Sequence, residues 1–285
     1  MSKSKKNIVW IASYPKSGNT WFRTVLSNLL SDSTEPLSIN QLTSSPIASS
    51  RVFFDDIVGT SSSDLTYEEI EELRSEAYIK SSNEAEGVIF RKVHDSWKIC
   101  SSGRALFPEE ITKAVIYIVR NPLDIAVSFA FHSNKSFQKT IEQMNDSGMA
   151  LCDDPRKLHN QLRQELTGWS DHVNSWVNLS GLPLIVLKYE NLLEDAFSEF
   201  NRAFNFIGMK ADPDRLAFAI ESSNFERLAK EEVKEGFKER PIRMEKFFRS
   251  GKSGDWKKHL DKILVKDLID RNYILMERFG YLTEI

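Results

Sequence analysis

Lysine, serine, glycine, asparagine and threonine follow one another at Lys16-Ser17-Gly18-Asn19-Thr20, where a short apolar run gives way to a helical pattern. Consecutive backbone N–H groups at a helix N-terminus, with a lysine beside them, form a cradle for phosphate or sulfate. Gly18 would let the backbone approach the anion with no side chain in the way, and Ser17, Asn19 and Thr20 add donors. By itself the stretch also fits an ordinary capped turn with a surface lysine. A second segment, from Arg120-Asn121-Pro122 to Ser128, again puts a cation just past an apolar run, where ligands bind in open α/β sheets. A third, Arg249-Ser250-Gly251-Lys252-Ser253-Gly254, gathers cations and glycines far along the chain. Together the three point to a ligand with two separate anionic groups.

None of them is a Walker A loop. Lys16 precedes Gly18, and Gly251-Lys252-Ser253 has Lys246 where that motif needs its first glycine. Val119 is followed by Arg120 rather than by a magnesium-holding aspartate, so a magnesium-dependent NTPase is disfavoured. Among the histidines, His94 ends an apolar run two residues after Lys92, and strand periodicity puts the two on one side. His132, His159, His172 and His259 fall in helical or helix-end contexts. His172, between Trp169 and Trp176, either lines an acceptor pocket or packs.

Four apolar runs must position these groups: Ile8 to Ala12, Val88 to Val93, Val115 to Val119 and Leu184 to Leu187. They are nearly continuous in Val and Ile, as expected of parallel strands covered on both faces. The spacing predicts helices over Thr20 to Leu30, Pro122 to Phe131 (capped by Asn121), Pro155 to Leu179, Glu194 to Ile207 and Asp261 to Phe279. Strands alternating with helices give an α/β fold with a central parallel sheet. No Pro/Gly-rich linker divides the chain, so residues 1–285 are expected to form one domain. Stretches near 31–64, 133–154 and 230–247 read as irregular lid or acceptor loops, or as plain solvated surface.

In order and spacing, Tyr14 to Trp21, the Arg120 to Ser128 segment and the run from Arg249 to Lys257 resemble the cofactor motifs of the PAPS-dependent sulfotransferases. The likeness is to the cytosolic-type domain, in a bacterial-looking small-molecule branch. PAPS is 3′-phosphoadenosine 5′-phosphosulfate, and its desulfated product is PAP. The resemblance implies a P-loop-like fold and a transferase of the EC 2.8.2 type. Lys16, Ser17, Gly18, Asn19 and Thr20 match the 5′-phosphosulfate loop, with Asn19 replacing the threonine common in the animal branch. Trp21 matches the aromatic that stacks on adenine, and Arg120 and Ser128 match the 3′-phosphate ligands. Arg249 and Gly251 match the late 3′-phosphate loop, where Ser250 replaces a frequent lysine. Tyr189, Ser223 and Phe225 match adenine contacts. Lys92 and His94 match a Lys-x-His whose histidine is the general base. The implied reaction is in-line, metal-free sulfuryl transfer to a hydroxyl or amine, with Lys16 and Lys92 stabilising the leaving charge. A nucleotide kinase-like phosphotransferase and a non-catalytic PAP-binding module remain as alternatives.

Composition sets the outer bounds. The 285 residues carry 38 Lys+Arg against 41 Asp+Glu, a net charge of −3, which argues against general nucleic-acid binding. Hydrophobic residues at 41% fit a soluble protein with a sizeable core. Cys100 and Cys152 suit neither a disulfide framework nor a zinc site. The basic start is followed by too short an apolar run for a signal peptide, and no run reaches a membrane span. A cytoplasmic protein is expected. Phe53, Phe54, Phe129, Phe131, Phe137, Phe247 and Phe248 fall in or beside the irregular stretches, which hints at an apolar acceptor, although phenylalanine is also the default core filler. A homodimer stays open as a partner, though not by the animal cytosolic motif, which is not recognisable in Lys257 to Lys266.

Overall fold

A computed structural model describes residues 5–241 and 244–284. The first residues of the basic start, two positions of the late irregular stretch (242 and 243) and the final residue lie outside it. The chain enters at β1 (Ile8–Ser13), every residue of which is buried. It turns into α1 (Asn19–Leu30), passes α2 (Arg51–Val58) and α3 (Tyr67–Glu84), and returns as β2 (Ile89–Val93). Next come β3 (Thr112–Val119), α4 (Pro122–Ser133), α5 (Phe137–Met144) and a two-residue pair, β4 (Ala150–Leu151) with β5 (Gln164–Glu165). After α6 (Trp169–Asn174), the strand β6 (Leu184–Lys188) leads through α7 (Tyr189–Glu194), α8 (Ala196–Phe206), α9 (Pro213–Glu221) and α10 (Phe225–Glu235) to α11 (Lys262–Arg278).

The main sheet has the order β2-β1-β3-β6 and is parallel throughout. Period-two alternation divides it between two cores. Ile8, Trp10 and Ala12 of β1 and Val115, Tyr117 and Val119 of β3 join one cluster, with α4, α6 and α11. Val9 and Ile11, with Ala114, Ile116 and Ile118, join the other, against α1 and α8. Burial on both faces is why the strands read as unbroken apolar runs. Register fixes what leaves the sheet's carboxyl edge: Ala12 pairs Val93, Ser13 pairs Ile118 and Val119 pairs Lys188. Lys16, His94, Arg120 and Tyr189 therefore emerge side by side, the crevice where ligands bind in such sheets.

Two expectations need correction. The helix expected over Pro155 to Leu179 forms only from Trp169, continuing as a π turn to Leu179. Leu158, Leu162 and Leu166 mimicked a helical stripe. Yet Leu158 is 74% exposed, Leu162 packs with Phe54 and Ile70, and Leu166 lies in the main core. Thr167 at φ 60° and extended Gly168 set the later start. The helix expected over Glu194 to Ile207 forms as α8, starting at Ala196 because the Asp195 carboxylate caps it, accepting from Ser198 N–H at 3.0 Å. The irregular stretches hold helices: α2 capped by Ser50, α5 capped by Ser136 and the last residues of α10. Among the described residues no helix is long and apolar enough to cross a membrane.

Candidate active site

The loop after β1 is held by backbone and by inward-turned side chains. Asn19 donates its amide to the Ile11 carbonyl at 3.0 Å and to Ser13 Oγ at 3.2 Å, so it braces the loop rather than facing out. Ser17 is wholly buried, its hydroxyl without a partner. Lys16 adopts φ 69°, a left-handed conformation that costs a non-glycine residue about 1–3 kcal/mol. Gly18, at φ 106°, is glycine for a second reason than anion approach: a Cβ there would meet Tyr189 Cδ2 at 2.7 Å.

Arg120 ties the early loop to the late one. Its guanidinium donates to the Lys16 and Lys252 carbonyls, both at 3.0 Å, and lies 4.3 Å from the centre of the Tyr189 ring. Its Nε is buried without a partner. The late loop mirrors the first: Gly251 has φ 65°, and a Cβ on it would come within 2.3 Å of the Phe225 ring. Asp124 fastens this loop to α4, accepting from Gly254 N–H at 2.8 Å and Trp256 N–H at 3.1 Å. Asn121 caps α4 as expected, with Pro122 opening the helix.

His94 stands where β2 ends. Its Nδ1 is 2.9 Å from the Ser13 carbonyl, an acceptor only, so Nδ1 carries the proton and Nε2 keeps its lone pair. Burial, and then the Lys92 charge, push its pKa well below the usual histidine value. Its own carbonyl accepts from His172 Nε2 at 3.0 Å, which obliges His172 Nδ1 to accept from Tyr117 O–H at 2.8 Å. His172 is therefore a packed brace and does not line the cavity. The next residues are clamped too: Trp176 donates to the Asp95 carbonyl, and Asp95 forms a buried two-point pair with Arg74 at 2.8 and 2.9 Å.

Lys16 Nζ lies 3.9 Å from the centre of the Phe247 ring. Burial first, then the charges of Arg120 and Lys92, bring its pKa down to about 7. Lys92 pairs with Glu239 at 3.0 Å, and burial lowers its pKa as well.

Of the residues matched position by position to the cofactor and Lys-x-His motifs, all but Ser17 line one cavity of about 1100 Å³. Ser223 does so with its hydroxyl turned inward to the Ala219 carbonyl at 2.7 Å. Trp21 stands edge-on to Tyr189, centroids 6.0 Å apart, with its Nε1 buried and unpartnered. Of the seven phenylalanines, Phe129, Phe247 and Phe248 line the cavity. Phe53 stacks on Tyr78, Phe54 packs in a side cluster, and Phe131 and Phe137 surround His259. Sequence reasoning missed Arg23, Glu239, His132 and Gln161, which also line it. Arg23 did leave a signal, as a charge inside the apolar stripe of α1. Glu239, 216 residues from its partner Arg23, left none.

The arrangement suits a long ligand with anions at two loops, a flat apolar ring between Tyr189, Trp21 and Phe225, and a base at the other end. Orphaned Arg120 Nε and Trp21 Nε1 mark the polar demand for such a ligand.

Comparison with known proteins gives the family and the fold. Residues 6–279 match the Sulfotransferase domain family. The guinea pig (Cavia porcellus) 3-alpha-hydroxysteroid sulfotransferase is 30% identical over 175 residues, 54% of each chain. Human (Homo sapiens) Sulfotransferase 2B1 is 25% identical over 272 residues, 93% of this chain and 64% of its own. The chain spans about half the length of most curated relatives it matches. In fold it is similar to a mouse sulfotransferase complexed with PAP, at TM-score 0.61 and 17% identity, covering 96% of this chain and 86% of that one. It is also similar to retinol dehydratase in complex with androsterone and inactive cofactor PAP, at TM-score 0.60 and 20% identity, covering 95% and 81%.

Proposed function

The chain belongs to the sulfotransferase domain family, and on that premise we propose that it transfers the sulfuryl group of PAPS to a hydroxyl or amine of a small-molecule acceptor. The observation that carries this reading is His94: its Nδ1–H is engaged by the Ser13 carbonyl, and its Nε2 lone pair is left in a cavity shared with Lys16 and Lys92. The two glycine loops and the aromatic residues beside them fit the nucleotide.

His94 Nε2 takes the proton of the attacking hydroxyl as the new oxygen–sulfur bond forms. The bond from sulfur to the bridging phosphate oxygen breaks, and its electron pair leaves with PAP. Lys16 and Lys92 offset the charge gathering there. Lys16, close to half protonated at neutral pH, is drawn fully to the ammonium form by an anionic neighbour. The acceptor end is walled by Phe129, Leu151 and Phe247, with polar Gln161 and His132 among them. Relatives named for hydroxysteroids favour an alcohol on an apolar skeleton.

A transfer assay with labelled PAPS and EDTA, run over sterols, phenols, alkyl alcohols and amines, tests the proposal. Labelled product with at least one class, inhibited by PAP, is expected. PAP binding with no transfer to any acceptor would leave the nucleotide-binding module instead. A strict magnesium requirement would favour the phosphotransferase.

A further inference from the structure

Lys92 already has an anion beside it. Glu239, in the stretch after α10, accepts from Lys92 Nζ through Oε2 at 3.0 Å and from Arg23 Nη1 through both oxygens, at 2.8 and 3.0 Å. The two cations are unequal partners. Arg23 has a side chain only 2% exposed and also donates to Ser45 Oγ and to the Ser45 and Leu42 carbonyls, so its guanidinium is immobile. Glu239 sits on that fixed cation, and Asn40 pins the chain just before it, donating to the Gly236 carbonyl and accepting from Lys238 N–H. Lys92 is the movable member: a flexible ammonium beside His94 on the cavity wall, with Glu239 its one recorded ion-pair partner among the described residues. Burial works against the Glu239 charge, yet the Lys92 and Arg23 cations outweigh it and hold its pKa near 2, so the anion persists at working pH.

We propose that Glu239 is a specificity-determining residue: a resident counter-anion that competes with the transferring sulfuryl group for Lys92, and so limits how much better the site holds PAPS than PAP. This rests on the sulfuryl-transfer reading above. When the sulfuryl group is present, Lys92 exchanges one anion for another, and the net gain in ground-state binding is small. With PAP, Lys92 stays on Glu239 and nothing is lost. The ammonium's full attraction then appears only as negative charge builds in the transition state, where it accelerates the reaction instead of deepening substrate binding.

The test compares affinities for PAPS and PAP, measured without acceptor, in the wild type and in Glu239→Gln. The amide keeps an oxygen for Arg23 and removes the charge. PAPS should bind roughly five- to thirtyfold more tightly in the variant, the worth of one partly buried ion pair, so the PAPS-to-PAP ratio rises by that factor. In a Lys92→Met background the same substitution should leave the ratio unchanged. Should Glu239→Gln melt early, Glu239→Asp, with its shorter reach, should move the ratio the same way by less. A rise in affinity equal for both nucleotides would make Glu239 a general charge and overturn the inference, as would an unchanged ratio. Failure of PAP to bind even the wild type would instead sink the functional reading, and this inference with it.

Discussion

Gly18 and Gly251 both hold a positive φ and both lie under an aromatic ring, but the loops around them are anchored by different means. The early loop inherits its shape from the sheet. It leaves β1 through wholly buried Ser13, is braced by Asn19 against the Ile11 carbonyl, and enters α1 with a Phe22 N–H to Gly18 carbonyl bond. The late loop is held by carboxylates. Asp124 takes the N–H groups of Gly254 and Trp256, Glu232 takes those of Phe247 and Phe248, and Asp255 holds Arg249. A site half set by the sheet and half by side chains should respond to change in two ways. Perturbing the first half touches the fold, while perturbing the second loosens ligand grip and leaves the sheet intact.

The largest effect expected is at the sheet's edge. His94→Ala removes the proposed base while sparing the core, since His94 lines the cavity. Turnover should fall about 10²-fold or more, with PAP still bound and the melting temperature close to wild type. Near-normal turnover in that variant would end the general-base assignment.

The paired glycines sharpen the contrast. In Gly18→Ala the new methyl meets Tyr189, which is 7% exposed and wedged between Gly18 and the Arg120 guanidinium. The strained φ and the overlap should together cost about 2–3 kcal/mol of stability. In Gly251→Ala the overlap is with Phe225, at the start of α10, and is nominally closer. There we expect PAP affinity to fall about tenfold with a smaller loss of stability, because the late loop can shift as a unit. Thermal melts and PAP titration of the two variants decide it, and equal stability losses would erase the distinction.

Asp124→Asn comes next. The amide keeps a neutral oxygen for one of the two N–H groups and turns an NH2 donor toward the other, a loss of about 1–2 kcal/mol. It should appear as weaker PAP binding more than as a lower melting temperature. A drop in stability with unchanged affinity would mean that Asp124 serves α4 and not the late loop.

The same division explains what could be read in advance. The sheet, its alternating strands and helices, and the residues at its carboxyl edge follow from local patterns: continuous apolar runs, an Asn-Pro helix start, a strand-end lysine with glycine. Helix α3 was legible too, through the capping box of Thr66 and Glu69, and went unread because its apolar stripe is thin. Gly18 was noticed for a reason only half right, since Tyr189 lies 171 positions away. Glu239 meets Arg23 from 216 positions away, and Asp124 and Glu232 hold the late loop through backbone N–H groups, which carry no residue identity. Local spacing therefore found most of the residues that line the cavity and, Asn19 and Asn121 apart, missed the ones that hold the loops in place.

The smallest effect is in protonation, and it probes the point where the two loops meet. Lys16 belongs to the early loop, yet it rests on Phe247, and the Arg249 charge is among those lowering its pKa to about 7. At pH 8 the amine is mostly neutral, and an anionic nucleotide restores its charge, so PAP binding should take up most of a proton from solution. At pH 6 Lys16 is already charged and uptake through it should vanish. Calorimetry in two buffers of different ionisation enthalpy measures this, and Lys16→Met should abolish it. The sign for stability follows from the same shift. Between pH 7 and the ordinary lysine value the unfolded chain holds the proton that the folded one lacks, so the Lys16 contribution stabilises the fold as pH rises across that window. Asp124→Asn, by loosening the late loop that carries Arg249, should raise the Lys16 pKa and shrink the uptake at pH 8. If uptake is untouched by that variant, the late loop does not reach Lys16, and the two halves of the site are electrostatically independent.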